Sequence, residues 1–388
     1  MKKKIAILGS TGSIGQTTFN IIKENKKNFK VLFLSTNSNV NKIYQQAKEL
    51  NVKNIIINNK SKYKKIKKKF IKSRINVYFD HSKINKFLKS KLDYCMCSIS
   101  GLEGLGPTLN VIKLSKSVGI ANKESLICAW NLIEKKLKKH KTNFIPVDSE
   151  HFSIWSLIKN SNKSNIEEII LTASGGPFLN LPISEFKKIK ISSAVKHPNW
   201  SMGKKISIDS ATLMNKVFEI IEAQRIFNID IKKFEIIIHP SSYIHSIIKL
   251  VNGQIKILAH ETDMKIPIFN SLYNNEFKSI FTKKININLL NNLNLKKVDP
   301  VRYPSIKILN KINNKNTLFE TVLISANDQL VELYIKNKIK FVEINLYLKK
   351  ILNFKKYLNL INKKPKKISD IINLSEEVRL KTRNLCIQ

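Results

Sequence analysis

The chain has 388 residues, enough for two or three domains with an ample core. Its 69 Lys and Arg stand against 28 Asp and Glu, a formal net charge of +41. The surplus is mostly Lys, spread over the whole length beside heavy Ile and Asn usage, which fits a coding bias toward A and T better than a nucleic-acid surface built on clustered Arg. No apolar run reaches membrane-spanning length. Cys95, Cys97, Cys128 and Cys386 form no C-x-x-C pair and no zinc spacing, so buried thiols in a reducing, cytoplasmic setting are expected.

The chain is expected to open directly on a strand, Lys4 to Leu8, with no room for a signal peptide. Ile5-Ala6-Ile7-Leu8 runs into Gly9-Ser10-Thr11-Gly12-Ser13-Ile14-Gly15 and then a helix carrying Phe19, Ile21 and Ile22. Strand, glycine turn and helix form the setting of a dinucleotide fingerprint, here spaced G-x-x-G-x-x-G. The glycines let the backbone approach a pyrophosphate, and the helix start offers N–H groups and the positive end of its dipole. The second strand, Val31 to Ser35, ends in Thr36-Asn37-Ser38-Asn39. No acid stands there to hold a ribose 2′-hydroxyl, which leans toward a 2′-phosphate and NADP. The turn holds no cation either, and Lys42 is the nearest.

Further strands are read at Asn54 to Ile57, Ile75 to Phe79, Tyr94 to Ile99 and Ser117 to Ile120. Helices separate them, the first being the basic run Lys60 to Lys72, read as a solvated surface helix. Such alternation implies a doubly wound parallel sheet. After the last of these strands, Ala121-Asn122-Lys123-Glu124-Ser125 opens a helix at a strand's carboxyl end, where ligands bind in such sheets. A Lys at the positive end of a helix is mildly unfavourable, so Lys123 points to a ligand.

A strand from Asn143 to Val147 delivers Asp148-Ser149-Glu150-His151. Alternate residues of an extended chain share a face. Two carboxylates there repel unless a cation such as Mg²⁺ or Mn²⁺ sits between them, with Glu219 as a third oxygen ligand. The competing reading is a helix start, where acids are favoured anyway. Strand Glu168 to Thr172 leads to Ala173-Ser174-Gly175-Gly176-Pro177-Phe178, whose Ser and glycines can present hydroxyl and N–H groups to a phosphate.

His197 to Glu219 reads HPNWSMGKKISIDSATLMNKVFE. Pro198 and Gly203 exclude a regular element in the first half, leaving a loop with hinges and an aromatic, Trp200, able to lie over a ligand. In the second half Asp209 or Ser210 can cap a helix through Leu213, Met214, Val217 and Phe218, with Ser210, Asn215, Lys216 and Glu219 in its first turns. Such a helix start makes an anion site, and a divalent cation reconciles Glu219 with it. Beyond, Phe234 to His239 and two strands turned by Asn252-Gly253 indicate an antiparallel or mixed sheet whose exposed face can pair subunits. Asp299 to Pro304 reads as a linker, and from Ser305 the periodicity is helical.

GSTGSIG at 9–15, ANKESL at 121–126, PVDSEH at 146–151, SGGPF at 174–178, HPNWSMGKKIS at 197–207 and DSAT-x-MNK-x-x-E at 209–219 occur in this order, with IHP-x-S-x-IHS at 238–246 and RYP at 302–304. Together they resemble the 1-deoxy-D-xylulose 5-phosphate reductoisomerase family over most of the chain. The resemblance implies that Thr11, Gly12, Ser13 and Ile14 cradle the NADPH pyrophosphate, with Asn39, Asn122, Glu124 and Gly203 also at the cofactor. It implies Asp148, Glu150 and Glu219 as ligands of one Mg²⁺ or Mn²⁺, with Lys123 and His197 beside them in the catalytic set. Ser149 and Lys123 would contact the sugar backbone, and Glu150 and Glu219 would also meet the substrate. Ser174, His197, Ser210, Asn215 and Lys216 would hold substrate, chiefly its phosphate, while Trp200 and Met202 would ride on the closing loop.

The turn Asn37-Ser38-Asn39 departs from the family's usual Gly-Lys-Asn and lacks the cation for a 2′-phosphate. The expected fold is α/β: an N-terminal Rossmann-like doubly wound parallel sheet at 1–148, a central α+β catalytic and dimerisation domain at 149–290, a linker at 291–311 and a C-terminal helical bundle at 312–388. The implied protein is a cytoplasmic homodimer acting on a sugar phosphate, with no nucleic-acid or membrane partner.

Overall fold

The computed structural model describes residues 1–71, 73–159, 161–274, 276 and 278–387. Lys72, the end of the basic run, lies outside them. The chain divides into two compact units. The first comprises Met1–Ser125, Ile133–Asp148 and Met264–Phe281; the second comprises Leu126–Leu132, Ser149–Asp263 and Thr282–Gln388.

The first unit is built on strands Lys3–Leu8 (β1), Phe29–Thr36 (β2), Asn54–Ile57 (β3), Asn76–Phe79 (β4), Leu92–Cys97 (β5), Ser115–Ile120 (β6) and Asn143–Pro146 (β7). All pair in parallel, in the order β4-β3-β2-β1-β5-β6-β7. Ile5 to Leu8 are completely buried, as a central parallel strand covered on both faces requires. Cys95, Cys97 and Cys128 are buried and form no disulfide. The strand order reverses between β1 and β5, which opens a crevice at their carboxyl ends.

The helices Ser13–Glu24 (α1), Val40–Glu49 (α2), Lys60–Ile71 (α3), Ile84–Phe87 (α4), Leu105–Ile112 (α5) and Lys123–His140 (α6) connect these strands. Gly9 has φ +75°, and a Cβ there would stand 2.7 Å from Ser98 O; one on Gly15 would stand 2.2 Å from Gly9 O. The two glycines therefore allow α1 to start directly against the end of β1.

The second unit opens with Ser149–Ile158 (α7) and strand Ile166–Ala173 (β8). Helices Ile191–Ala194 (α8), Lys204–Ala211 (α9) and Met214–Phe227 (α10) follow, then strands Phe234–Ile238 (β9), Ile244–Leu250 (β10) and Ile255–Ala259 (β11). The next helix, Lys265–Leu272 (α11), belongs to the first unit and packs on α1. Ile287–Asn291 (α12), Lys296–Lys297 (β12), Phe319–Ile335 (α13), Phe341–Leu352 (α14), Lys355–Leu358 (α15) and Ile368–Ile387 (α16) complete the second unit. Its sheet is mixed, in the order β11-β10-β8-β9-β12, with β8 and β9 parallel and the remaining pairs antiparallel. Asn252-Gly253 turns β10 into β11 as its chemistry requires, with Gly253 at φ +83°.

Two local expectations change, and one connecting segment is closely packed. No helix starts at Asp209 or Ser210: both close α9, and α10 begins after Leu213, which sits at φ +62°. Asp209 cannot cap because its carboxylate, only 2% exposed, already accepts from Asn327 Nδ2 at 2.7 Å and Lys205 Nζ at 3.1 Å. Glu150 is not on an extended chain, since α7 starts at Ser149. The stretch Asp299 to Pro304 is packed: Tyr303 lies in the core with its hydroxyl on Gly175 O at 2.7 Å, and Arg302 Nη1 donates to Phe178 O and Leu181 O.

Candidate active site

In the first unit, Thr11, Gly12, Ser13 and Ile14 form the turn and first residues of α1. Gly12 and Ser13 are exposed, and Gly12 occupies the helix N-cap with no side chain on the N–H groups, which stay open to an anion. Thr11 Oγ1 bonds Thr36 Oγ1 at 2.7 Å, tying this turn to the end of β2. Buried Ser10 donates to Gln46 Oε1 at 2.8 Å, a brace that no local pattern of residues announces. Asn39 caps α2 through Lys42 N. The side chain of Asn122, 2% exposed, is spent on structure: Oδ1 accepts from Ser125 N, and Nδ2 donates to Ile99 O and to Gly101 O. It therefore shapes the loop after β5. Beside it, Lys123 Nζ reaches Asp148 Oδ2 at 2.8 Å, and Glu124 stands in the first turn of α6.

In the second unit, the buried Lys216 is the centre of a charged group on α10 and α7. Its Nζ lies 2.6 Å from Glu150 Oε1 and pairs also with Glu219 Oε2. Burial alone would pull the Lys216 pKa down, but the charges and hydrogen bonds of Glu150 and Glu219 outweigh it and raise it. Ser149 Oγ donates to Glu150 Oε2 at 2.6 Å, and Asn215 Nδ2 donates to Glu219 Oε1. Asn215, Lys216 and Glu219 thus meet as the helical spacing predicts. His151, to which the sequence pattern assigns no role, is fully buried; Nε2 lies 2.8 Å from Glu219 O and Nδ1 lies 3.3 Å from Glu222 Oε1. Its place inside the D-S-E-H run was the available signal.

Ser174 and His197 form a second group. His197 Nδ1 accepts from Asn199 N at 3.1 Å and Trp200 N at 3.0 Å. The proton must then sit on Nε2, which donates to Ser174 Oγ at 2.9 Å. Burial, and then the charge of Lys216, lower the His197 pKa to about 4 against the pull of Glu150, so the ring is neutral near pH 7. Ser174 Oγ also accepts from Gly176 N at 3.1 Å, which leaves its own proton free to donate outward. Gly176, at φ +69°, brings this loop against α9: a Cβ would stand 2.8 Å from Ala211 Cα and 2.9 Å from Ser210 O. The Ser210 carbonyl thus packs against this loop, and Ser210 does not head the helix of Lys216.

Trp200 and Met202 lie on the irregular segment between α8 and α9, as the Pro and Gly dictate. Gly203 has ordinary backbone angles and open space where a Cβ would go, so glycine is not needed there in this conformation.

Hard carboxylate oxygens are the donor set that Mg²⁺ or Mn²⁺ takes. Glu150 and Glu219 provide them with a cationic nitrogen already between them, so these residues fit such an ion.

Residues 5–130 match the family model for 1-deoxy-D-xylulose 5-phosphate reductoisomerase. Residues 144–227 match the model for that enzyme's C-terminal domain, and residues 260–381 match one described as DXP reductoisomerase C-terminal domain. The chain is 53% identical to 1-deoxy-D-xylulose 5-phosphate reductoisomerase of Pelagibacter ubique (strain HTCC1062) over 99% of this chain and 100% of that one. It is 36% identical to the enzyme of that name from Wolbachia pipientis wMel, over 97% and 96%. Among solved structures, the reductoisomerase from Zymomonas mobilis in complex with NADPH superposes with a TM-score of 0.88 at 31% identity, covering 100% of this chain and 99% of that one. A DOX-P reductoisomerase in complex with NADPH, fosmidomycin and magnesium gives 0.89 at 29% identity, covering 99% and 97%.

Proposed function

The chain belongs to the 1-deoxy-D-xylulose 5-phosphate reductoisomerase family, and from that membership we propose that it converts 1-deoxy-D-xylulose 5-phosphate to 2-C-methyl-D-erythritol 4-phosphate with NADPH and one divalent cation, in non-mevalonate isoprenoid biosynthesis. The observation that carries this reading is Lys216, a buried ammonium held by Glu150 and Glu219, on a helix whose charge is felt at the neutral His197. Anion donors and hard oxygen ligands are thus available on one unit.

When bound, the cation acts as a Lewis acid on the sugar's ketone and hydroxyl oxygens, and NADPH supplies the hydride. Glu150 and Glu219 would hold the ion, with Asp148 as the third carboxylate, two residues before Glu150. Lys123, paired with Asp148, holds an ammonium where the sugar backbone would pass, and Ser149 offers its hydroxyl there. Ser174 donates its free proton to the phosphate, with Ser210, Asn215 and Lys216 as further donors and His197 fixing the Ser174 rotor. Phosphate binding away from the reacting carbons would draw residues 197–203 over the substrate and exclude water. Thr11 to Ile14 would receive the pyrophosphate at the start of α1, and Asn39, Asn122, Glu124 and Gly203 are the other residues proposed to serve the cofactor.

The division of labour proposed is cofactor binding by 1–148, catalysis and subunit pairing by 149–290, connection by 291–311 and a helical closing domain at 312–388. A homodimer is supported by edge strand β11, where Ile255 and Ile257 are 62% and 50% exposed with Val251 at 61%. No helix of the described residues is long and apolar enough to cross a membrane.

The test is NADPH oxidation followed optically with 1-deoxy-D-xylulose 5-phosphate, with and without Mn²⁺. Oxidation that needs both sugar and metal is expected; oxidation indifferent to either would overturn the reading.

A further inference from the structure

Three rings stand in a row behind the loop that carries Trp200. His245, buried on β10, stacks on His260 with ring centroids 3.8 Å apart and planes 25° apart. Trp200 meets His245 edge-on at 5.9 Å and 65°.

His260 is the anchored member. It follows β11 directly, and its N–H donates to Tyr243 O at 3.0 Å. Its ring Nδ1 lies 2.6 Å from Glu261 O, and its own carbonyl lies 3.2 Å from His245 Nε2. A carbonyl only accepts, so the proton of His260 is on Nδ1 and that of His245 on Nε2. Burial is the largest influence on His260 and lowers its pKa, keeping the ring neutral against the opposing pull of the Glu261 carbonyl and of Glu150. Its Nε2 is then a bare acceptor, buried and without a hydrogen bond. A residue held at its backbone N–H and carbonyl and at ring Nδ1, with the other ring nitrogen unused, contributes its face more than its polarity.

The loop is also tied down through the side chains of Asn199 and of His197, the latter on Ser174 Oγ at 2.9 Å. Asn199 Nδ2 donates to Ser242 Oγ at 3.0 Å and to Pro240 O. Asn199 N and Trp200 N both donate to His197 Nδ1. Neither restrains the indole itself; among the ring contacts, His245 does.

We propose that His260 is a positioning residue for the closing loop: stacked on His245, it fixes the imidazole against which Trp200 rests, and so sets where the loop stands before substrate arrives. The proposal rests on the reading of residues 197–203 as the segment that closes over the sugar phosphate.

The test uses the full-length protein labelled with 5-fluorotryptophan, the Trp200 signal being assigned by its loss in Trp200→Phe. His260→Phe keeps a ring without the nitrogens, and His260→Met keeps bulk without a ring. In His260→Met the Trp200 fluorine signal moves toward its position in the unfolded chain, and KM for the sugar phosphate rises about three- to tenfold with kcat within about twofold. In His260→Phe both stay at the parent values. A signal unmoved in His260→Met would overturn the proposal, as would a signal displaced equally in His260→Phe, which would assign the effect to the Glu261 hydrogen bond. The loop reading fails separately: Trp200→Ala with an unchanged KM would remove it, and the proposal with it.

Discussion

Lys216 Nζ lies 2.6 Å from Glu150 Oε1 and pairs also with Glu219, so one buried ammonium bridges two carboxylates that would otherwise repel each other. The three groups sum to one negative charge, so neutralising either acid leaves a single ammonium–carboxylate pair and removes the net negative charge that a cation would answer.

Glu219→Gln keeps the shape of the side chain and removes its charge. Turnover is expected to fall about 100-fold or more, with Mn²⁺ affinity by calorimetry weakened alongside it and NADPH affinity within about twofold of the parent. Unchanged turnover would remove Glu219 from the metal site.

Gly176→Ala tests the packing behind Ser174. The left-handed backbone and a contact of 2.8 Å to Ala211 Cα leave no room for a methyl group. The cost is about 1–3 kcal/mol of stability, read as a lowered Tm. Because Gly176 N holds Ser174 Oγ, KM for the sugar phosphate should rise as well. A variant as stable as the parent would contradict the geometry.

His197 should titrate near 4 in the free protein, well below its ordinary 6.5, because burial and Lys216 both disfavour its charge. The sign follows from proton binding. Between those two values the unfolded chain holds the proton and the folded chain does not, so the His197 contribution erodes stability as pH falls from about 6.5 to about 4 and is absent above 6.5. A proton NMR titration of the ring reads this directly. An inflection near 6.5 would mean that the ring is solvated and not paired with Ser174.

Ser38→Lys would put a cation into the turn after β2, where Asn39 already caps α2. NADPH affinity relative to NADH is expected to rise about two- to fivefold, the worth of one exposed charge pair. Fluorescence titration with both nucleotides in parent and variant measures the ratio. An unchanged ratio would show that the 2′-phosphate is held elsewhere.

Much of the molecule was legible before any coordinates. Gly9 and Gly15 announce a strand abutting a helix because no other residue fits those two contacts. The all-apolar strands announce a parallel sheet, and Asn252-Gly253 announces a hairpin. The helical spacing of Asn215, Lys216 and Glu219 already groups them on one face of a helix. These are local consequences of sterics and periodicity, and they survive in any context. The helix start near Asp209 was misread because a cap is a vacancy for N–H groups, and that carboxylate is claimed by Asn327, 118 residues away along the chain.

By itself, then, the order of residues determined the parallel sheet, the glycine turn and the families of donors that sit together in sequence. Only the tertiary structure decided which residues answer one another across long separations: Glu150 with Lys216, Ser174 with His197, Ser210 against Gly176, and the row of Trp200, His245 and His260. The reason is physical. Sterics and hydrogen-bond periodicity act within a few residues, whereas the partner of a buried charge or ring is set by packing of the whole unit, which no local pattern encodes.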